Sequence, residues 1–131
     1  MKKEVYRGLE EAGIKGMTMD KFMDLINSRE RRTLKRISIN VQLKKLVDKA
    51  KLIMAKDPKK IVKTHVREAV ILPEWLGLTF GVHNGKQYKN VVITVEKLGK
   101  RLGDFAHTTG RVLHAGPGIG ATRGSKFVAV K

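Results

Sequence analysis

The glycine-rich end of the chain contains the residues that could bind a phosphate group. "HAGPGIGATRGSKFVAVK" (114–131) could be a phosphate-binding loop of an enzyme or a flexible basic tail that lies along a nucleic acid. A P-loop requires G-x-x-x-x-G-K-[ST], and "GSK" at 124–126 reverses the last elements of that motif. "GPGIGA" at 116–121 matches the looser dinucleotide fingerprint, but the ten residues after it cannot supply a crossover helix and a second strand. The pattern favours the tail.

Other catalytic or metal chemistry finds little support in the sequence. The four histidines have no metal-type spacing and the chain has no cysteine, so no zinc site is predicted. The carboxylates of the second half are dispersed and accompany no nucleophile motif. "GIKG" (13–16) matches the G-x-x-G clamp of KH domains, but the twelve preceding residues leave no room for the strand and helix that a KH unit needs. We predict a helix–helix turn there, no enzymatic activity and no cofactor.

The distribution of charge predicts a polyanionic partner. The 131-residue chain carries 28 Lys and Arg against 12 Asp and Glu, a net charge of +16. Residues 29–63 contain thirteen basic and three acidic side chains and residues 97–131 contain seven and one, whereas residues 1–28 and 64–96 are neutral. Two segregated basic blocks favour contact with nucleic acid. No apolar run approaches the roughly 20 residues of a membrane span, so we expect a cytoplasmic protein without a membrane partner.

The first half of the chain is predicted to be helical. Thr18 can cap a helix over 19–27, and "RERRTLKR" (29–36) is basic on almost every face, which predicts a short helix with no core-facing role that is stable mainly against phosphates. Asn40 can cap a longer amphipathic helix, Val41–Lys56, because its apolar residues recur every three to four positions. "KDPKK" (56–60) ends that helix and serves as a basic linker.

The second half is predicted to contain a small sheet. "AVILP" (69–73) has the pattern of a short buried strand, and "LTFGV" and "QYKNVVIT" flank the Asn84-Gly85 pair of a hairpin. A strict two-residue loop would place Phe80 opposite Lys89, so we expect a longer loop or a bulge and leave the register open. A helix over 95–102 is expected to cover the sheet, and Trp75 is expected to pack.

These elements predict an α+β fold: N-terminal helices, then a sheet of about three strands with a β-hairpin and a covering helix, then an extended tail. The predicted divisions are a helical basic extension and linker at 1–63, an α+β nucleic-acid-binding core at 64–109 and a glycine-rich basic tail at 110–131.

Several motifs resemble one known family in order and spacing. "GLTFGVHNGKQY", "KLGKRLGDFA" and "RVLHA" are similar to the core of the small-subunit ribosomal protein nineteen family. "YRGLE", "MTMDKFMDLINSRERRTLKR" and the tail "GPGIGATRGSKF" resemble the archaeal and eukaryotic branch, because the bacterial form lacks them. The resemblance covers nearly the whole chain.

The resemblance implies a structural component of the ribosome head. It implies binding to the 3′ major domain of small-subunit ribosomal RNA, contact with ribosomal protein thirteen, and proximity to tRNA and to the bridge with the large subunit. It also implies a protein that is not a homo-oligomer. A nonspecific, chromatin-type nucleic-acid-binding protein remains the alternative, although that class gives no reason for the neutral hairpin block.

The predicted RNA-binding residues combine phosphate-neutralising cations with side chains that can hydrogen-bond sugars and bases. They are Arg29, Arg31, Arg32, Lys35, Arg36, Lys63, His65, Arg67, His83, Asn84, Lys86, Gln87, Lys100, Arg101, Arg111, His114, Arg123 and Lys126. The glycines of the tail suit backbone that passes close to RNA, because glycine lacks a Cβ and adopts positive φ readily.

Truncation after Ala115 is expected to separate assembly from decoding. The change removes three positive charges, Arg123, Lys126 and Lys131, and no apolar element of the predicted core. Folding and incorporation into small subunits should therefore be nearly unchanged, whereas tRNA binding and decoding by the resulting ribosomes should fall. Loss of incorporation would instead make the tail an assembly anchor.

Overall fold

Four helices precede a three-stranded mixed sheet in the computed structural model, which describes residues 5–110. The predicted α+β class and the order of helices before sheet are confirmed. The predicted tail, apart from Gly110, lies outside the described residues.

The N-terminal segment begins with a small hairpin that the sequence analysis did not predict. Strands β1 (Val5–Tyr6) and β2 (Leu9–Glu10) pair antiparallel, and helices α1 (Glu11–Lys15) and α2 (Met19–Leu25) follow. "GIKG" is mostly helical, because α1 includes its first three residues and the chain turns only at Gly16. Ile14 of α1 is fully buried, which gives this turn of helix a place in the core.

Helix α3 (Ser28–Lys35) forms as predicted, but its predicted lack of a core-facing role is wrong. Leu34 packs against the hydrophobic core. Arg31 turns back onto the end of α2, where its Nε donates to the Met23 carbonyl at 2.8 Å and its Nη2 donates to the Ile26 carbonyl at 3.1 Å. A helix end leaves carbonyls without intrahelical partners and attracts a cation, so Arg31 caps α2.

Helix α4 (Val41–Lys56) has the predicted bounds. The Asn40 Oδ1 accepts hydrogen bonds from the backbone N–H groups of Gln42 and Leu43, at 3.1 and 3.3 Å, so the predicted cap is present. The apolar stripe packs into the core through Leu43, Leu46 and Ala50. The predicted end before Pro58 is also confirmed.

The sheet has the order β3 (Val62–Thr64), β4 (Thr79–His83) and β5 (Tyr88–Val92). β4 pairs parallel with β3 and antiparallel with β5. The β4–β5 register places Phe80 opposite Val91, with a four-residue loop at 84–87, which confirms the expected longer loop. This register pairs Phe80 with an apolar residue and places Lys89 opposite Val82, nearer the hairpin loop.

β3 begins after the predicted linker at 56–60 and crosses the predicted boundary between residues 63 and 64. One hydrophobic cluster also joins the two sides of that boundary, since it contains Phe22 and Leu46 as well as Trp75 and Phe80. The division at residue 63 therefore does not separate two cores. Trp75 is buried as predicted, with its ring centroid 4.9 Å from that of Phe80.

The predicted strand at 69–73 is buried but lies outside the sheet. It runs beside residues 99–103 instead: the Ile71 N–H donates to the Lys100 carbonyl at 2.9 Å, and the Gly99 N–H donates to the Ile71 carbonyl at 3.1 Å. An isolated bridge joins Val70 to Arg101. The sequence identified the burial correctly, whereas the segment is not a strand of the three-stranded sheet.

The predicted helix over 95–102 is also wrong as a single element. Two short 3₁₀ helices, Val95–Lys97 and Leu102–Phe105, occupy the region. Gly99 separates them with φ +70°, a left-handed conformation that a continuous helix cannot contain. Leu98 is nevertheless buried, so this segment covers the core as expected without being one helix.

Gly99→Ala is expected to lower the free energy of unfolding by about 2–3 kcal/mol, because it adds a steric cost to the cost of a left-handed φ. An added Cβ would lie 2.8 Å from the Tyr6 Oη and 3.0 Å from the Ile26 Cγ2. Gly77→Ala is the matched control, since Gly77 has φ +86° and open space around it, and should cost only about 1–2 kcal/mol. Urea denaturation measures both variants, and equal losses would contradict the steric contribution.

Candidate nucleic-acid interface

Lysines of α4 and β3 line one open groove on the surface. Its two adjoining parts share Lys49 and Lys63. Lys45 and His65 lie toward one end, and two further lysines lie toward the other, Lys56 and Lys60. We call these six residues the α4–β3 groove. It brings together cations that are far apart in the sequence, and closely spaced cations suit a phosphate backbone.

The groove is held together by a direct contact between its two walls. The Lys49 Nζ donates to the backbone carbonyl of Lys63 at 2.9 Å, which joins α4 to the edge strand β3. Leu46 on the same helix is buried, so the helix cannot rotate its lysines away without exposing apolar surface. The positions of the groove lysines are thus fixed at the backbone level.

Three rings meet at the end of the groove, on the sheet face opposite the core. His65 follows β3, His83 ends β4 and Tyr88 begins β5. The Tyr88 Oη lies 2.7 Å from the His65 Nε2, and the two histidine ring centroids are 4.4 Å apart. We call these three residues the ring cluster. The parallel and antiparallel registers place its members side by side in one row across the sheet.

A second basic surface lies on α3. Its exposed cations are Arg29, Arg32, Lys35 and Arg36. Arg31 lies on the opposite side of the helix, against α2. The exposed positive charge of α3 is therefore confined to the side of the helix away from α2, and phosphate binding by this face stays a prediction.

Known proteins resemble this chain over most of its length. The sequence profile described as ribosomal protein S19 matches residues 31–114. Over 130 residues the chain is 42% identical to the small ribosomal subunit protein uS19 of Methanococcus maripaludis strain S2, covering 96% of this chain and 80% of the relative. The uS19 protein of strain C6 is 43% identical over 131 residues, with the same coverage.

The chain belongs to the ribosomal protein S19 family. The predicted family and its archaeal and eukaryotic-type branch are confirmed, and the family is structural and non-enzymatic. Within residues 5–110, no group of three or more His, Cys, Asp or Glu side chains could hold a metal ion. The same part of the chain contains no helix that is long and apolar enough to span a membrane.

Three arginines predicted to bind RNA direct their guanidinium groups into this S19-family fold: Arg31, described above, and Arg67 and Arg101. Arg67 Nη1 donates to the His83 carbonyl at 2.8 Å, and its Nη2 donates to the carbonyls of Gly103, at 3.0 Å, and Ala106. Arg101 Nε lies 3.5 Å from the Glu30 Oε1, in an ion pair that joins the C-terminal segment to α3. These donors serve internal contacts.

The remaining predicted residues of the described range lie on the surface around the hairpin and beyond it. Lys86, Gln87 and Lys100 are exposed. Asn84 holds the hairpin loop, because its Oδ1 accepts from the backbone N–H groups of Lys86 and Gln87 at 3.0 and 2.9 Å. Four predicted residues lie outside the described range: Arg111, His114, Arg123 and Lys126.

Sequence reasoning missed four groove lysines and one member of the ring cluster. Lys45, Lys49 and Lys56 share one flank of α4, and helical spacing along Val41–Lys56 could have grouped them. Lys60 approaches them because β3 folds back beside the helix, and no local pattern in the sequence predicts that contact. Tyr88 could have been identified from the alternation of β5, had the hairpin register been known.

Arg67→Met is expected to lower the free energy of unfolding by about 2 kcal/mol, because the substitution keeps the apolar stem and leaves the carbonyls without their charged donor. Lys86→Met at the exposed hairpin tip is the control and should change stability by no more than about 0.5 kcal/mol. Thermal or urea unfolding measures the difference. Equal stability of the two variants would mean that the Arg67 contacts contribute nothing.

Proposed function

We propose that the chain is a structural constituent of the small subunit of the cytoplasmic ribosome and binds its ribosomal RNA through the α4–β3 groove. The observation that carries the proposal is the alignment of lysines from α4 and β3 along one open groove. The relatives are named small ribosomal subunit proteins, which supports the ribosomal assignment.

Binding in the groove rests on phosphate neutralisation. Each lysine that meets a phosphate displaces condensed counterions, so affinity falls as salt rises. A-form RNA offers proteins mainly its backbone and its shallow minor groove, and its bases become accessible where the strand is unpaired. A fixed row of cations beside a polar sheet face suits a folded RNA of defined shape. The exposed face of α3 supplies a second set of phosphate contacts, with Arg29, Arg32 and Lys35 at its centre.

The nearest neighbours of the protein follow from the family resemblance. We propose contact with ribosomal protein thirteen in the subunit head, and positions close to tRNA and to the large subunit. The segment before α3 has no net charge over residues 1–28, and it exposes apolar side chains at Val5 and Met19. A neutral, partly apolar surface suits a protein neighbour better than it suits RNA.

Removing groove cations is expected to reduce the salt dependence of RNA binding. The triple variant Lys45→Ala, Lys60→Ala and Lys63→Ala should lower the slope of log affinity against log salt by about two, at roughly 0.7–0.9 per phosphate contact. The measurement is a titration of the folded 3′ major domain of small-subunit ribosomal RNA at several salt concentrations.

The matched control removes the same charge elsewhere: Lys21→Ala, Lys44→Ala and Lys51→Ala. It should leave the slope nearly unchanged, because Lys44 and Lys51 lie on the other flank of α4. Equal losses in the two triple variants would contradict a localised groove. Duplex DNA at matched salt serves as competitor, and equal competition by DNA and by the ribosomal RNA would favour a nonspecific nucleic-acid-binding protein.

A further inference from the structure

We infer that the ring cluster is a stacking site for one unpaired nucleobase of the bound RNA. The inference rests on the proposed RNA-binding function and assigns a separate task to His65, His83 and Tyr88. The groove lysines hold the phosphate backbone, and the ring cluster takes a base that has left the helical stack.

The rings form one assembly with defined geometry. Tyr88 stands nearly edge-on to both histidines, with centroid distances of 5.4 Å to His65 and 5.0 Å to His83. The hydrogen bond between the Tyr88 Oη and the His65 Nε2 fixes these two rings relative to each other. The His83 Nδ1 accepts from the Gly85 N–H at 3.1 Å, which fixes the third ring to the hairpin loop. A preorganised aromatic surface loses little side-chain entropy when a ligand binds.

Two rings of the cluster are exposed where a purely structural cluster would be covered, and the third, His83, is half-buried. Tyr88 is 39% exposed and His65 is also exposed, although both carry ring surface that packing elements could bury. The core of the protein lies on the other face of the sheet, where Val62, Phe80 and Val91 are buried. The rings therefore contribute little to the described hydrophobic core, and stacking against a base would remove their apolar faces from water.

The neighbourhood of the rings matches a nucleotide better than an apolar peptide. Lys63 Nζ lies over the Tyr88 ring at 5.5 Å from its centroid, so a cation of the groove occupies one face of the ring and a base would stack on the other. Gly81 occupies the neighbouring row of the sheet between Lys63 and Asn90, and the side chains of Ile61 and Lys63 cover it, since an added Cβ would lie 3.2 Å from the Ile61 Cγ2 and 3.4 Å from the Lys63 Cγ. A base on the rings would have its phosphate within reach of a groove lysine and its polar edge beside an amide.

Stacking and phosphate contact have different salt signatures, which makes the ring cluster testable. Phosphate contacts set the slope of log affinity against log salt, whereas stacking changes affinity at every salt concentration by the same factor. Tyr88→Leu removes the π-face and keeps a similar apolar side chain at an exposed position, and Tyr88→Phe restores the ring without the hydroxyl. Ile39→Ala is the control for truncating an exposed apolar side chain elsewhere, since Ile39 is 78% exposed.

We expect Tyr88→Leu to bind the folded 3′ major domain RNA about ten-fold more weakly than the unchanged chain, with the same salt slope. Tyr88→Phe should recover most of the affinity, and Ile39→Ala should bind as the unchanged chain does. Two results would overturn the stacking site. In the first, Tyr88→Leu binds the RNA as tightly as the unchanged chain. In the second, its affinity falls together with the slope of log affinity against log salt.

A second measurement separates this inference from the proposed function. A short unpaired RNA oligonucleotide containing 2-aminopurine reports stacking by the quenching of its fluorescence, whatever the natural RNA is. Stronger quenching by the unchanged chain and by Tyr88→Phe than by Tyr88→Leu supports the stacking site, even if ribosomal RNA shows no advantage over duplex DNA. Equal quenching by all three proteins overturns the stacking site and leaves the groove proposal intact.

Discussion

The guanidinium group of Arg67 connects three parts of the chain, and it adds the end of β4 to the backbone hydrogen bonds that join residues 67–71 to residues 99–103. Its donors reach the end of β4 at His83 and the C-terminal segment at Gly103 and Ala106. Gly103 lies so close that an added Cβ would be 3.0 Å from the Arg67 carbonyl oxygen. A planar fork of donors suits this task, because it can bind several carbonyls in fixed directions. The position of the ring cluster depends on this contact through His83.

The high net charge imposes a second constraint, which the fold meets by segregation. The core draws on apolar residues from α1 through the last 3₁₀ helix, so the basic helices cannot separate from the sheet without exposing it. The groove lysines are exposed and line one part of the surface. Self-repulsion among them opposes folding, and a bound polyanion relieves it. RNA binding and folding of this protein therefore favour each other.

The sequence predicted most reliably where local signals and burial agree. α4 was predicted with its bounds because Asn40 caps it and the apolar spacing continues to its end. β3 was missed because it has three residues in a lysine-rich segment, and its partner β4 is distant in sequence. The helix predicted over 95–102 had suitable apolar spacing, but spacing gives no information on φ, and Gly99 adopts a left-handed conformation.

The sequence predicted the residue types of the candidate site better than it predicted their arrangement in space. Arginine content identified a basic protein, but nothing in the sequence distinguishes an arginine that turns inward, such as Arg31 or Arg67, from one that faces solvent. His65 and His83 were identified as polar residues able to face RNA, and Tyr88 was missed because the register of its strand was open. Contacts between residues that are far apart in the sequence decide which arginines turn inward and where Tyr88 lies. The pattern of a single sequence does not contain these contacts.

The burial of Trp75 has a spectroscopic consequence. It is the single tryptophan of the chain, it is 1% exposed, and its ring lies against Phe80 on the core side of the sheet. Its emission therefore reports the integrity of the hydrophobic core and responds little to a ligand that binds the opposite face. Tyr88 lies on that opposite face. The chain thus carries its tryptophan and one of its two tyrosines on opposite sides of one sheet, and the Tyr88→Phe variant separates the emission of Tyr88 from that of Tyr6. A change in tryptophan emission then reports unfolding, and a change in Tyr88 emission reports ligand binding.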